Sequence, residues 1–202
     1  EETSATDYLS LSGSGEPTLH SKIDSVIGGI KAITSIPVAV ITNGSLLYEK
    51  KVRESLLQAD VVLPSLDAAS AETFEKINRP HAGLSVEKVI EGMVEIRKVY
   101  KGQIWLEILF CKGVNDGQNE QLLMKKAIGR IQPDLIHLNT VVRPPFEKWA
   151  VPLNQKDVLS MVSDLKGRAL LKGFRGSKPV NMESLTDWLN KLGWLALRFE
   201  KI

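Results

Sequence analysis

Tyr8-Leu9-Ser10-Leu11-Ser12-Gly13-Ser14-Gly15-Glu16-Pro17-Thr18-Leu19-His20 is the stretch that decides the fold. Apolar and polar residues alternate from Tyr8 to Ser12, the period of a strand. A turn with two glycines, a carboxylate and a proline follows. Gly13 and Gly15 let the backbone take conformations with φ > 0 and come close to a ligand. Pro17 fixes the exit of the turn. Glu16 then stands where a strand stops, which in βα architectures is the ligand end. The same residues also make a plain βα turn with a solvated glutamate, so both readings stand until the rest of the chain is read.

The pattern recurs. Ile23, Val26, Ile27, Ile30 and Ile33 form the stripe of an amphipathic helix. Residues 37–42 are a nearly continuous apolar run, expected for a strand covered on both faces, and they end in Asn43-Gly44-Ser45. Tyr48, Val52, Leu56 and Leu57 predict a second helix. A third strand is expected over residues 61–67, with Pro64 tolerable near its end. Residues 71–77 read as a short helix and 78–83 as a loop. Ser85 caps a helix that turns Val86, Val89, Ile90, Met93, Val94 and Tyr100 inward. Residues 104–110 predict a fourth strand and Cys111 to Gly117 a turn-rich segment. Leu123, Ala127, Ile128 and Ile131 mark another helix, and residues 135–142 a fifth strand ending in Arg143-Pro144-Pro145. Val158, Met161, Val162 and Leu165 give one more helical stripe.

Strand and helix therefore alternate five times, which implies a parallel sheet. Five units are too few for a closed eight-fold barrel. An open, partial barrel fits best, with a doubly wound sheet as the alternative. Residues 1–166 are expected to form this α/β domain. Residues 167–202 change character and predict a small helical C-terminal extension, either half of a helix-turn-helix or a helical pair packed on the barrel. The strand ends 14–16, 42–44, 65–67, 111–113 and 139–143 are small or polar, and in a parallel barrel they share one rim.

Composition narrows the class without naming a function. The chain has 202 residues, 43% hydrophobic and 25% charged, with a net charge of +2, ordinary for a globular protein. No apolar run approaches the roughly 18 residues of a membrane span, and no signal-peptide pattern is visible. One cysteine, Cys111, excludes an internal disulfide and fits a reducing compartment, so a cytoplasmic location is expected. His20, His81 and His137 lack zinc-like spacing. No nucleophile elbow and no Walker loop is present. The sequence opens on Glu1 with a strand close behind, as expected of a fragment, a processed product or the ordered part of something longer.

Four segments together are similar to the radical S-adenosylmethionine (radical SAM) superfamily, in the branch of Fe–S oxidoreductases resembling the wybutosine-synthesis enzymes that modify tRNA. They are residues 12–20, Thr42-Asn43-Gly44-Ser45, Ser65-Leu66-Asp67-Ala68 with Ile77-Asn78-Arg79-Pro80-His81, and His137 through Pro145. The resemblance implies a partial (β/α)6 TIM-type barrel with the cofactor at the strand C-termini. Five units are present and the first is missing. In the family that first unit carries the Cys-x-x-x-Cys-x-x-Cys loop of a 4Fe–4S cluster, so no metal ligand is expected within this chain.

The resemblance also implies roles. Gly13, Ser14, Gly15 and Glu16 would meet the SAM ammonium, Thr42 and Asn43 the same end, Ser65 and Asp67 the ribose or the methionine carboxylate, and Asn139 and Val141 the adenine. Arg79, His81, Lys112 and Arg143 are rim cations able to meet an anionic substrate. Their plain reading is ion pairing or solvation. The implied reaction is reductive cleavage of SAM to a 5′-deoxyadenosyl radical that abstracts hydrogen from a small-molecule or RNA substrate, with an electron donor such as flavodoxin or ferredoxin. A cluster-independent phosphate- or nucleotide-binding enzyme and a nucleic-acid-binding protein are the competing classes.

Overall fold

Strand β4, Gln103–Phe110, shows how the sheet is built. Ile104, Leu106, Ile108 and Phe110 project to one face and join a single apolar core with residues of the helices. Trp105, Glu107 and Leu109 project to the other, because side chains alternate along a strand. The computed structural model describes residues 8–154 except Ser14 and Arg143, together with Asp157. The expected domain boundary at 166, the last helical stripe and the C-terminal extension lie outside the described residues.

The remaining strands are β1 Leu9–Leu11, β2 Val38–Thr42, β3 Val61–Pro64 and β5 Leu135–Thr140. All pair in parallel, in the spatial order β1-β2-β3-β4-β5. The order follows the sequence with no reversal, so among the described strands there is none of the switch points that a doubly wound sheet requires. The helices are α1 Ile23–Ile33, α2 Lys50–Ser55, α3 Ala71–Asn78, α4 Val86–Val99 and α5 Gln118–Ile131. No helix among the described residues is long and apolar enough to cross a membrane.

Local chemistry sets the element boundaries. Ser70 and Ser85 cap α3 and α4 by accepting from the backbone N–H of Thr73 and Lys88. Asp60 and Asp134 stand just before β3 and β5. Each accepts a backbone N–H at the start of the strand before it, that of Val38 or Ile104, both at 2.8 Å. Each also takes a cation, Lys31 or Arg97.

Several expectations are corrected. The stripe of α1 is not buried throughout. Ile23 and Ile27 enter the core, but Val26 is 40% and Ile33 85% exposed, because no described residue covers the outer side of β1. The second helix is a six-residue turn with no buried residue; the burial expected of it is supplied by Leu47 and Leu56 on either side, while Leu57 is exposed. Strand β3 stops at Pro64 and β5 at Thr140, both shorter than expected.

Candidate functional site

The C-terminal ends of the strands carry two polar clusters. The first joins β1 to β2 through Glu16, the residue that caps a single 3₁₀ turn, Pro17–Leu19. Its Oε1 accepts from Thr18 N (3.1 Å), Thr18 Oγ1 (2.6 Å) and Thr42 Oγ1 (2.5 Å). Its Oε2 accepts from Asn43 N at 2.7 Å. Oε2 thus keeps acceptor capacity toward the rim. Thr42 is spent on the protein, since its hydroxyl also accepts from Gly44 N. Asn43 closes an Asx turn on Ser45 N, which leaves its Nδ2 facing out. Gly44 follows with φ +72, a conformation glycine supplies without strain.

The opening glycines act differently from expectation. Positive φ among the described glycines is confined to Gly44, Gly83 and Gly113. Gly13 and Gly15 contribute open space instead: a Cβ on Gly13 would meet only the Gly15 backbone at 3.8 Å, and one on Gly15 would meet nothing within 4 Å. A groove of about 220 Å³ runs beside them, lined by Leu11, Gly13, Gly15, His20, Ile23 and Val26 among others. Ser14 lies outside the described residues.

The second cluster spans β3, β4 and β5. Glu107 is buried at its centre. Its Oε2 accepts from Ser65 Oγ at 3.2 Å and its Oε1 from Asn139 Nδ2 at 2.6 Å. Burial raises its pKa, against the lowering effect of those two hydrogen bonds. The clusters meet through the ladder, where Ser65 N donates to Thr42 O. Asp67 closes the top of β3. Its Oδ1 accepts from Leu109 N at 2.9 Å in place of a backbone carbonyl. Burial, with the Glu107 charge adding to it, outweighs the Leu109 and Asn78 hydrogen bonds and pushes the Asp67 carboxyl up to about 6. Below the rim, His137 stacks on Trp105 with centroids 5.5 Å apart, and burial lowers its pKa to about 4, so it is neutral at pH 7.

The Asp67 shift has a definite sign. The folded chain holds this proton to about pH 6 and an unfolded aspartate to about 3.9. Between those values the folded state binds more protons, so stability falls as pH rises through the window. Asp67→Asn is therefore expected to stabilise the fold by about 1–3 kcal/mol at pH 7 and by nothing near pH 4. Urea melts of both proteins from pH 4 to 7 check this; a pH-independent difference would refute it.

Three contributors are not apparent from local sequence pattern. Glu107 carries a signal, a carboxylate in the middle of an apolar strand, where a charge is tolerated only if it is networked. Asn115, fully buried, donates to the carbonyls of Asp67 and Leu109 and accepts from Cys111 N, knotting the ends of β3 and β4. Glu120, in the first turn of α5, accepts from Ala69 N, Ser70 N and the Thr73 hydroxyl. Burial alone would raise its pKa, but these bonds hold it below the usual carboxylate range.

The predicted substrate cations are less available than the sequence implies. Arg79, a left-handed cap at the end of α3, pairs with Glu147 at 2.5 Å. Lys112 lies 3.7 Å from Asp157. His81 is exposed, and Arg143 lies outside the described residues. Val141 sits half-buried one residue beyond β5. Cys111 is buried and its thiol is raised by that burial. Among the described residues no group of three His, Cys, Asp or Glu could hold a metal ion.

With this geometry in place, the sequence pattern of the radical SAM superfamily matches residues 8–125. The chain belongs to the radical SAM superfamily. It is 42% identical over 152 residues to the GTPase Obg of Brachyspira hyodysenteriae, covering 75% of this chain and 22% of that protein. It is 34% identical to a UPF0026 protein of Helicobacter pylori, covering 78% of this chain and 51% of that protein. The chain thus spans about half, or less, of these curated relatives. Its fold is similar to that of a domain of the pyruvate-formate lyase-activating enzyme from Bacteroides vulgatus, with TM-score 0.58, 15% identity, and 78% of this chain and 91% of that one covered. Members of this superfamily normally use SAM and a 4Fe–4S cluster.

Proposed function

We propose that the chain is the SAM-binding part of a radical SAM oxidoreductase built on a partial (β/α)6 barrel. The observation that carries this is the unbroken row of polar groups along the strand ends, from Glu16 through Thr42 and Asn43 to Ser65, Glu107 and Asn139. The barrel reading draws on the sequential strand order. It draws also on the edge-on contact of Tyr8 with Trp105, 5.4 Å between centroids across three strand spacings, which suits a concave face. The outer edge of β1, which no described strand pairs, has Val26 and Ile33 exposed beside it and suits a further βα unit packed there.

The residues present fit SAM. Glu16 offers a carboxylate oxygen with spare acceptor capacity to the ammonium, and the glycine turn offers room. Asp67 and Ser65 take the ribose or methionine end, and Asn139 with Val141 the adenine. When bound beside a reduced cluster, SAM supplies a 5′-deoxyadenosyl radical that takes a hydrogen atom from the substrate. The chain's own residues bind, orient and shield. They do not fit the cluster: Cys111 is the single cysteine and is buried. The cluster's thiolates are therefore assigned to a Cys-x-x-x-Cys-x-x-Cys segment outside these 202 residues.

The branch similar to wybutosine-synthesis enzymes makes an RNA nucleoside the first substrate class to try, with a small anionic molecule second and flavodoxin or ferredoxin as electron donor. An anionic substrate would have to draw Arg79 and Lys112 away from Glu147 and Asp157, whereas His81 is exposed. Calorimetric titration of the full-length protein is expected to show one SAM site. Absence of SAM binding beside a clear signal with a sugar phosphate would sink this reading.

A further inference from the structure

We propose that Glu107 is a positioning residue that sets the hydrogen-bond polarity of the rim, and so selects a ligand that offers donors to both Ser65 and Asn139. The inference rests on the SAM reading above and adds a residue and a selection rule to it.

Ionised Glu107 accepts and cannot donate. Its two oxygens are divided between neighbouring strands, one to Ser65 on the β3 side and the other to Asn139 on β5. The Ser65 proton is thereby committed, leaving its lone pairs. The Asn139 Nδ2 is committed likewise, which turns Oδ1 away from Glu107. Ser65 and Asn139 are both half-buried, which leaves their remaining acceptor capacity open to a ligand at the rim. Glu107 itself is buried and reaches a ligand only through them. Two acceptors flanking one strand suit a hydroxyl pair or an amino group. SAM carries both, in its ribose, its ammonium and its adenine amine.

The alternative role, a carboxylate that merely ties three strands together, makes a different prediction under substitution. A glutamine side chain at this position has one acceptor and one donor end. One of its two partners must then reverse: either Asn139 flips and shows its NH₂ to the ligand, or Ser65 turns its proton outward. Glu107→Gln is expected to weaken SAM binding about tenfold, as expected when a buried polar group faces the wrong partner. Asn139→Asp alone sets two carboxylates together and is expected to weaken it at least as much. The double variant Glu107→Gln with Asn139→Asp restores the pattern. The introduced amide donates to one oxygen of the introduced carboxylate and accepts from Ser65. The other oxygen of that carboxylate again faces the ligand as an acceptor. Affinity of the double variant should return to within about threefold of wild type.

The experiment is SAM calorimetry on the full-length wild type and these three variants, with side-chain amide NMR of Asn139. In the wild type, one Asn139 Nδ2–H should be shifted downfield and protected from exchange, and Glu107→Gln should remove that signal if Asn139 is the partner that flips. Absence of the wild-type signal overturns the proposal even where a variant does not fold. So does a Glu107→Gln protein that binds SAM as wild type does, or a double variant no tighter than Asn139→Asp. A wild type that keeps the protected amide but binds no SAM overturns the cofactor reading instead.

Discussion

Glu16→Ala is expected to weaken SAM binding by the full-length protein about a hundredfold and to cost the fold about 2–4 kcal/mol. The two losses have one origin. The carboxylate satisfies four donors, on Thr18, Thr42 and Asn43. Two are backbone N–H groups: that of Thr18 closes the turn after β1, and that of Asn43, with the Thr42 hydroxyl, holds the turn against the end of β2. Hydrogen bonds to a charged group contribute more than neutral ones, and the partial exposure of this cluster is why the estimate stops at about 4 kcal/mol. The binding loss follows because the spare capacity of Oε2 disappears with the group. Glu16→Gln keeps the shape but must turn an NH₂ toward either Asn43 N–H or the Thr18 and Thr42 donors, so it should recover less than half of the lost stability. Urea melts and SAM titration of the three proteins measure both effects. A Glu16→Ala protein with wild-type affinity would remove Glu16 from the site and leave it a structural cap.

Gly92→Ala should destabilise by about 2–3 kcal/mol, although alanine is the better helix former by roughly 1 kcal/mol. Gly92 lies on the face of α4 that meets the segment after β2. A Cβ there would stand 2.5 Å from Tyr48 N and 2.6 Å from Leu47 C, both backbone atoms. No rotamer change relieves that contact, so α4 itself has to move. The same substitution at Gly129 in α5 meets nothing within 4 Å and should stabilise by about 0.5–1 kcal/mol. For a chain of this size the pair would move the melting temperature by several degrees down and a degree or more up. Equal shifts at the two glycines would mean that α4 does not lie against Leu47 and Tyr48.

The sheet was legible because short apolar runs alternate with helical stripes along the chain. Val38–Thr42 and Gln103–Phe110 fall within a residue of the runs expected for them. Strand ends were harder. A ladder stops where a side chain replaces a backbone partner, as when Asp67 takes Leu109 N, or when Thr140 donates its hydroxyl to Phe110 O and accepts from Leu153 N. No periodicity marks such exchanges. The stripe of α1 misled for another reason: it shows which face is apolar, not whether anything covers it, and Ile33 is open.

The candidate site divides the same way. Rim residues that follow a strand, such as Glu16 and Asn43, stand out as polar breaks after apolar runs. Glu107 lies inside a strand, and its place between Ser65 and Asn139 depends on the register of three strands. Local sequence holds the carboxylate but not its neighbours. Arg79 and Lys112 looked available for substrate because Glu147 and Asp157 are far from them along the chain.

SAM cleavage by the full-length protein is the decisive measurement. Reconstituted with iron and sulfide without oxygen and given a chemical reductant, it is expected to convert SAM to equal amounts of 5′-deoxyadenosine and methionine. Glu16→Ala should lower that yield in step with its lost affinity. A protein that carries the reduced cluster, binds SAM and leaves it intact would contradict the account.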